Sequence, residues 1–129
     1  MALLKEESFA FESTLAGKTW LPILRDAVDS GYSLTIYFLY LSKVSENIER
    51  IRQRVIQGGH LVPTTAVRRR YPRCFYNFWN HYRLLCEDWY VFNNSSSRPK
   101  LVYSFETFSK ESESERKKFE HQFSTGRLR

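Results

Sequence analysis

The sequence is poor in features that define whole classes of protein. It has no apolar run near the ~20 residues of a membrane-spanning helix; the stretch Ser33 to Ser42 falls far short of that. It has only two cysteines, Cys74 and Cys86, without C-x-x-C spacing, which excludes a disulfide scaffold and a zinc ribbon. Both thiols are expected to be ordinary buried residues in a reducing compartment. The opening Met1-Ala-Leu-Leu-Lys-Glu-Glu7 has no basic leader before an apolar core, so no signal peptide is expected and the expected localisation is cytoplasmic. There is no internal repeat. Between Glu49 and Glu87 there is neither an acidic residue nor a lysine.

What that stretch does contain is arginine: Arg50, Arg52, Arg54, Arg68, Arg69, Arg70, Arg73 and Arg83. Arginine without lysine suits planar, bidentate recognition of phosphate or carboxylate. A general basic face, for nucleic acid, is the competing reading. The whole chain carries +6 over 129 residues, and its 42% hydrophobic and 16% aromatic content supplies a core for one compact domain.

Ser8-Phe-Ala-Phe-Glu12 alternates and reads as a short strand. Trp20, Ile23, Leu24, Ala27 and Val28 have helical spacing, and Gly31 is placed to end that helix. Leu34 to Leu41 is almost continuously apolar, the pattern of a parallel strand covered on both faces. A helix follows, capped by Ser42 or Ser45, with Ile48, Ile51 and Val55 on one face and Arg50 and Arg54 on another. Gly58-Gly59 breaks it and reads as a hinge. Thr64 or Thr65 is expected to cap a further helix from about Ala66 to Cys86, with Pro72 inside it as a kink or break. Its aromatic residues Phe75, Tyr76, Phe78, Trp79 and Tyr82 read as core. Trp89 to Phe92 is a third strand, Asn93 to Pro99 turn chemistry, and Lys100 to Phe105 an edge strand. Residues 104–129, rich in serine, glutamate and lysine, read as a charged tail attached to a domain over 1–103. The order is that of an α/β fold with parallel strands, and ligands in such sheets bind beyond the carboxyl ends of the strands.

Gly17-Lys18-Thr19 falls between a strand and a helix, where a phosphate loop belongs. A full G-x-x-x-x-G-K-[ST] needs glycine at the position of Glu12, whose carboxylate opposes phosphate, so the tripeptide reads as a loop glycine and a first helical turn. Glu12 at a strand end can orient a magnesium-bound water or a substrate hydroxyl, or simply be a solvated acid. Arg54-Val-Ile-Gln-Gly-Gly-His60-Leu-Val-Pro63 followed by Arg68-Arg-Arg-Tyr-Pro-Arg73 is the sharpest pattern: arginines on both sides of a glycine break, as in a lid that closes over a transferring phosphoryl group. His60 can contact phosphate or base, or be structural. Asn93-Asn94-Ser95 can meet a nucleotide base or form an Asx turn.

Four stretches together resemble the bacterial zeta-toxin-like P-loop kinases: Ser8–Gly17, Arg54–Pro63, Arg69–Arg73 and Trp89–Ser95. The resemblance covers about residues 5–103. It implies a P-loop kinase-type parallel sheet with flanking helices, use of ATP and Mg2+, and phosphoryl transfer to a small-molecule acceptor such as a nucleotide sugar. It places Glu12 and Thr14 in the substrate and metal pocket, makes Arg54, Arg69 and Arg73 the catalytic lid arginines, and sets His60 and Asn94 at the nucleotide or lid. No metal ligand set is expected from this chain itself. The family usually has threonine at Ser13, aspartate at Glu87 and Asn93, and serine at Cys74. Its Walker A strand and loop would precede Met1, so the expectation is a truncated kinase, inactive as this isolated chain. By resemblance that missing strand lies between Ser8–Glu12 and Leu34–Leu41, leaving edges that call for a complementing N-terminal half, an antitoxin or self-association. The alternative reading is a non-catalytic basic α/β module that binds nucleic acid or an acidic partner protein. Neither reading involves a membrane.

Overall fold

The computed structural model describes residues 7–59 and 62–124. Among them, helix α1 (Trp20–Asp29) leads to strand β1 (Thr35–Tyr40), followed by helices α2 (Val44–Ile56) and α3 (Thr64–Asn77). Helix α3 runs on through a π-helical turn, Phe78–Tyr82, and a 3₁₀ turn, Arg83–Leu85. Then come β2 (Asp88–Asn93), β3 (Lys100–Ser104), α4 (Phe105–Lys110) and α5 (Glu113–Ser124). No helix among the described residues is long and apolar enough to cross a membrane.

The architecture is mixed α/β around a three-stranded sheet of order β1-β2-β3. Strands β1 and β2 are parallel, in register from Thr35 opposite Asp88 to Tyr40 opposite Asn93, and α2–α3 form the crossover between them. Strand β3 is antiparallel to β2, with an irregularity between Val91 and Phe92. The expected all-parallel sheet is thus corrected to a mixed one. The reason is length: residues 94–99 are too few for a crossover, which needs a dozen or more, and suffice only for a hairpin. An Asx turn starts that hairpin, the Ser95 amide donating to Asn93 Oδ1 at 2.9 Å.

The strand expected at Ser8–Glu12 does not form; residues 7–16 have no regular structure. A strand needs a ladder partner, and no strand among the described residues pairs with them. Nor is β1 covered on both faces. Phe38 is buried and Ile36 and Tyr40 pack on the core, whereas Tyr37 and Leu39 on the opposite face are 65% and 48% exposed. The buried packing lies on the helix side; the other face carries only the exposed stack of Tyr37 with Tyr90 and Phe92.

The core is aromatic. Phe75, Phe78, Trp79 and Tyr82, at the helical spacing seen in the sequence, are at most 1% exposed, while Tyr76 on the outer side is exposed. Phe38 stacks on Phe78 with centroids 4.6 Å apart, and Trp79 meets Trp89 edge-on at 5.4 Å. The residues expected to form a tail complete this core. Phe108 and Phe119 pack against it, and Phe123 is fully buried between Phe38, Phe75, Phe78 and Trp79. The boundary drawn at residue 103 therefore does not divide the molecule: Phe108, Phe119 and Phe123 turn to the core, while Phe105 is exposed.

Both main helix ends are set by glycine. After α1, the Gly31 amide donates to the Val28 carbonyl and the Tyr32 amide to the Ala27 carbonyl, each at 3.0 Å, with Gly31 at φ +98°. After α2, Gly58 at φ +95° donates to Val55 and Gly59 donates to Arg54 at 2.7 Å. These are Schellman caps. A Cβ at Gly59 would stand 2.9 Å from the Arg54 carbonyl oxygen. Both glycines are thus required by a defined helix stop; the hinge expected from Gly58 to Pro63 runs into residues outside the described ones. The serine and threonine caps expected for α2 and α3 are not used either: Lys43 and Pro63 occupy the N-cap positions without a side-chain bond.

Candidate functional site

The carboxyl ends of β1 and β2 lie side by side and carry a polar knot. Ser42 is withheld from capping because Asn93 Nδ2 donates to its hydroxyl at 2.9 Å. The Ser42 amide donates to Ser95 Oγ at 2.9 Å, and that hydroxyl donates back to Ser42 Oγ at 3.2 Å. The Asn94 amide closes on the Tyr40 carbonyl at 2.7 Å. Two side chains from the crossover tie down to the same place. The Arg50 guanidinium donates to the Asn94 carbonyl at 2.6 Å, and the Tyr71 hydroxyl donates to the Leu41 carbonyl at 2.6 Å. Burial, helped by the charge of Glu46, pushes the Tyr71 phenol up to about 12. Burial also raises Tyr40, against an opposing hydrogen bond with Asn93. Both hydroxyls therefore stay protonated at neutral pH and are not bases, and Tyr71 serves as a donor.

The expected lid arginines flank this knot unequally. Arg54 stands one turn after Arg50 on the same flank of α2 and is exposed. On α3, Val67 and Phe75 are buried and Tyr71 reaches the end of β1, so Arg69 and Arg73 fall on the opposite, solvent-facing side. Arg68 and Arg70 lie between these faces and are exposed. Among the described residues, none of Arg54, Arg68, Arg69, Arg70 and Arg73 has a carboxylate within ion-pair distance; on this hairpin only Arg52 has one, bonded to Glu49 at 2.7 Å. His60 lies outside the described residues. Asn94 is at the site, contributing its backbone.

Arg83 has another role. Its guanidinium lies 4.1 Å from the centre of the Trp79 ring and 5.1 Å from that of Phe108, and its Nε donates to the Trp79 carbonyl at 3.0 Å. Burial lowers its pKa, with Glu120 opposing. It is a cation built into the aromatic core.

Glu12 and Thr14 are exposed in a separate loop. That loop is anchored further along α3, beyond Tyr71: Asn77 Nδ2 donates to the carbonyls of Leu15 and Ala16 at 2.9 and 3.0 Å, and the Tyr82 hydroxyl donates to Gly17 at 2.8 Å. At ~1.5 Å per residue these anchors sit roughly 9–16 Å along the helix from Tyr71. The loop is thus held away from the knot at the end of β1, while its anchor Asn77 stands one turn, about 6 Å, beyond Arg73 on α3. Leu15 is buried at φ +58°, a left-handed conformation that Asn77 and Ser13, whose hydroxyl accepts the Leu15 amide at 3.1 Å, hold in place. Gly17 to Thr19 leads into the first turn of α1, Thr19 at its N-cap. Nearby His81 has its pKa lowered by burial and by Lys18 and Arg25.

The knot's donor set is amides, hydroxyls and guanidinium. It suits an oxyanion and not a divalent cation, and no group of three His, Cys, Asp or Glu able to hold a metal occurs among the described residues. Sequence reasoning passed over Ser42, Arg50, Tyr71 and Asn77 as site-building residues. One signal was available for Asn77, an amide between Phe75 and Phe78 on an otherwise apolar face. Nothing local marked the hydroxyls.

No known family profile matches the chain, and no solved structure matches it. A stretch of 70 residues is 30% identical to a Haemophilus influenzae protein described only as an uncharacterized protein. The match covers 54% of this chain and 50% of that relative, so the chain spans about half the length of the curated protein it resembles.

Proposed function

We propose that this chain is the lid- and acceptor-side portion of a zeta-toxin-like phosphotransferase, and that alone it binds a phosphorylated small molecule without transferring phosphate. One observation carries the reading. A crossover bearing arginines that have no ion-pair partner among the described residues is tied, through Arg50 and Tyr71, to the carboxyl ends of two parallel strands. That is where open α/β sheets take their ligands. Arg54 meets the phosphate, with the amide and hydroxyl groups of Asn93, Ser42 and Ser95 as neutral donors beside it. Arg69 and Arg73, on the outer side of α3, engage only if the hairpin moves or the ligand is long. Transfer is not expected of this chain because Gly17-Lys18-Thr19 is no phosphate cradle: a cradle needs free backbone amides, and those of Leu15 and Ala16 donate to the hydroxyls of Ser13 and Thr14, with the carboxylate of Glu12 where the motif has its first glycine. ATP and Mg2+ belong to the complete enzyme on this reading, and its compartment is the cytoplasm.

Titration of the isotope-labelled chain with UDP-N-acetylglucosamine, ATP and duplex DNA tests this. The expected result is amide shifts at Ser42, Arg54 and Asn94 with the nucleotide ligands, lost in Arg54→Ala, and no ATP turnover. Tighter binding to DNA, weakening steeply with salt and distributed over Arg68, Arg69 and Arg70, would instead establish the nucleic-acid alternative.

A further inference from the structure

The two edges of the sheet are built differently. The outer edge of β3 is short, starts at Lys100 and follows an irregularity in its pairing with β2. Lysine and bulges are devices that keep an edge from pairing with another chain. The outer edge of β1 has none of them: Thr35-Ile-Tyr-Phe-Leu-Tyr40 carries no charge, proline or bulge. The carbonyls of Leu34 and Tyr40 accept from the amides of Glu87 and Asn94, so even-numbered residues turn their backbone groups towards β2. By the alternation of a strand, Thr35, Tyr37 and Leu39 turn theirs outward, and no strand among the described residues pairs with them. The same three residues put their side chains on the uncovered face, where Tyr37 stacks on Tyr90 with centroids 5.3 Å apart.

We infer that this edge binds a second copy of the chain, β1 pairing antiparallel with β1 of the copy. The two-fold arrangement that uses every outward group sets Tyr37 opposite Tyr37 and Thr35 opposite Leu39. Charge selects the second copy in this direction. The amino end of β1 lies beside the acidic start of β2, Glu87 and Asp88; its carboxyl end runs into Lys43 and the arginines of α2. Antiparallel pairing sets each copy's basic end against the other's acidic end, twice by symmetry. A parallel second copy would stack like charges. The molecule carries +6 overall, so an uncharged strand is also where two copies meet with least repulsion. The joined sheet would have six strands and one continuous apolar face running from Leu101 and Phe92 through Tyr37 into the copy. This inference does not need the ligand reading above, which assigns the same edge, in a complete enzyme, to the missing strand; the dimer is proposed for the chain by itself.

The test is the mass of the purified full chain by sedimentation equilibrium over a concentration series. A monomer–dimer equilibrium is expected, weakened by salt. Tyr37→Lys and Leu39→Lys, both on the exposed face, should each give monomer with an unchanged circular dichroism spectrum. Leu101→Lys, at the other edge, should leave the dimer intact. Lys43→Glu should weaken it, and Lys43→Glu with Glu87→Lys should restore it. Hydrogen exchange reads the wild type without any variant: the Thr35, Tyr37 and Leu39 amides should slow as concentration rises. A monomer at every concentration overturns the proposal, as does a dimer that survives both β1 lysines. Exchange at those three amides that is independent of concentration also overturns it.

Discussion

The side chains of β1 alternate between two surroundings. Phe38, 7% exposed, is wedged against Phe75, Phe78 and Phe123, while Tyr37 and Leu39 on either side of it stand in solvent at 65% and 48%. The strand's near-continuous apolar composition is that of a strand buried on both sides. The helices bury one side only. Stability is therefore concentrated on the helix face, and the apolar character of the other face is free to serve association.

The sharpest way to break that contrast is to truncate one residue on each face. Trp79→Ala or Phe123→Ala should cost about 3–5 kcal/mol in denaturant unfolding, enough to unfold a marginal domain. Tyr37→Ala, measured in dilute solution, loses only the exposed stack with Tyr90 and Phe92 and should cost no more than about 1 kcal/mol. Comparable losses at Tyr37 and Trp79 would mean that the two faces do not differ in this way.

Smaller effects sharpen the picture of the helix side. Asn77→Ala leaves the Leu15 and Ala16 carbonyls without their donor and should cost about 1–3 kcal/mol, with Asn77→Asp no rescue because a carboxylate cannot donate. Gly58→Ala puts a side chain at φ +95° and should cost roughly 1–2 kcal/mol by thermal unfolding. Gly59→Ala adds a clash with the Arg54 backbone and should cost more than Gly58→Ala.

Alkali probes the same side. Burial raises Cys74 from 9.0 to about 11, Cys86 from 9.0 to about 12 and Tyr71 from 10.0 to about 12. The unfolded chain therefore releases these protons first. The stability they contribute is complete below the unfolded values, near pH 9, and is lost as pH rises through the folded ones, towards about 12. Urea midpoints measured at increasing pH should fall over that window, and Tyr71→Phe should flatten the fall above about pH 10. The smallest effect belongs to the arginines: Arg69→Ala should leave the midpoint unchanged within about 0.5 kcal/mol.

How much of this was legible in the sequence follows the range of the interactions. The helical spacing of Phe75, Phe78, Trp79 and Tyr82 reports its own burial, and Gly31 its own helix end, because both are local. The parallel pairing of β1 with β2 was also readable from an apolar run followed by helices. The antiparallel return of β3 followed from a six-residue connection whose length was visible but not weighed. The failed strand at Ser8–Glu12 and the docking of Phe123 depend on what stands beside them in space, which no local pattern records. At the site, the row of arginines was plain. Which of them would be tied to strand ends, stacked in the core like Arg83, or left facing solvent was set by tertiary contacts alone.

The position of Phe123 also bears on how the molecule is made. Synthesis delivers β1, α3 and β2 before α5, so for a time the growing chain holds Phe38, Phe75, Phe78 and Trp79 around an unfilled space. Domains otherwise begin to fold from the amino end as they emerge, at about 5–20 residues per second. Here a ring translated after the others is the one that they surround. A chain cut before α5 should therefore linger on chaperones, and a ribosome stalled ahead of that helix should present them with a sticky aromatic bowl.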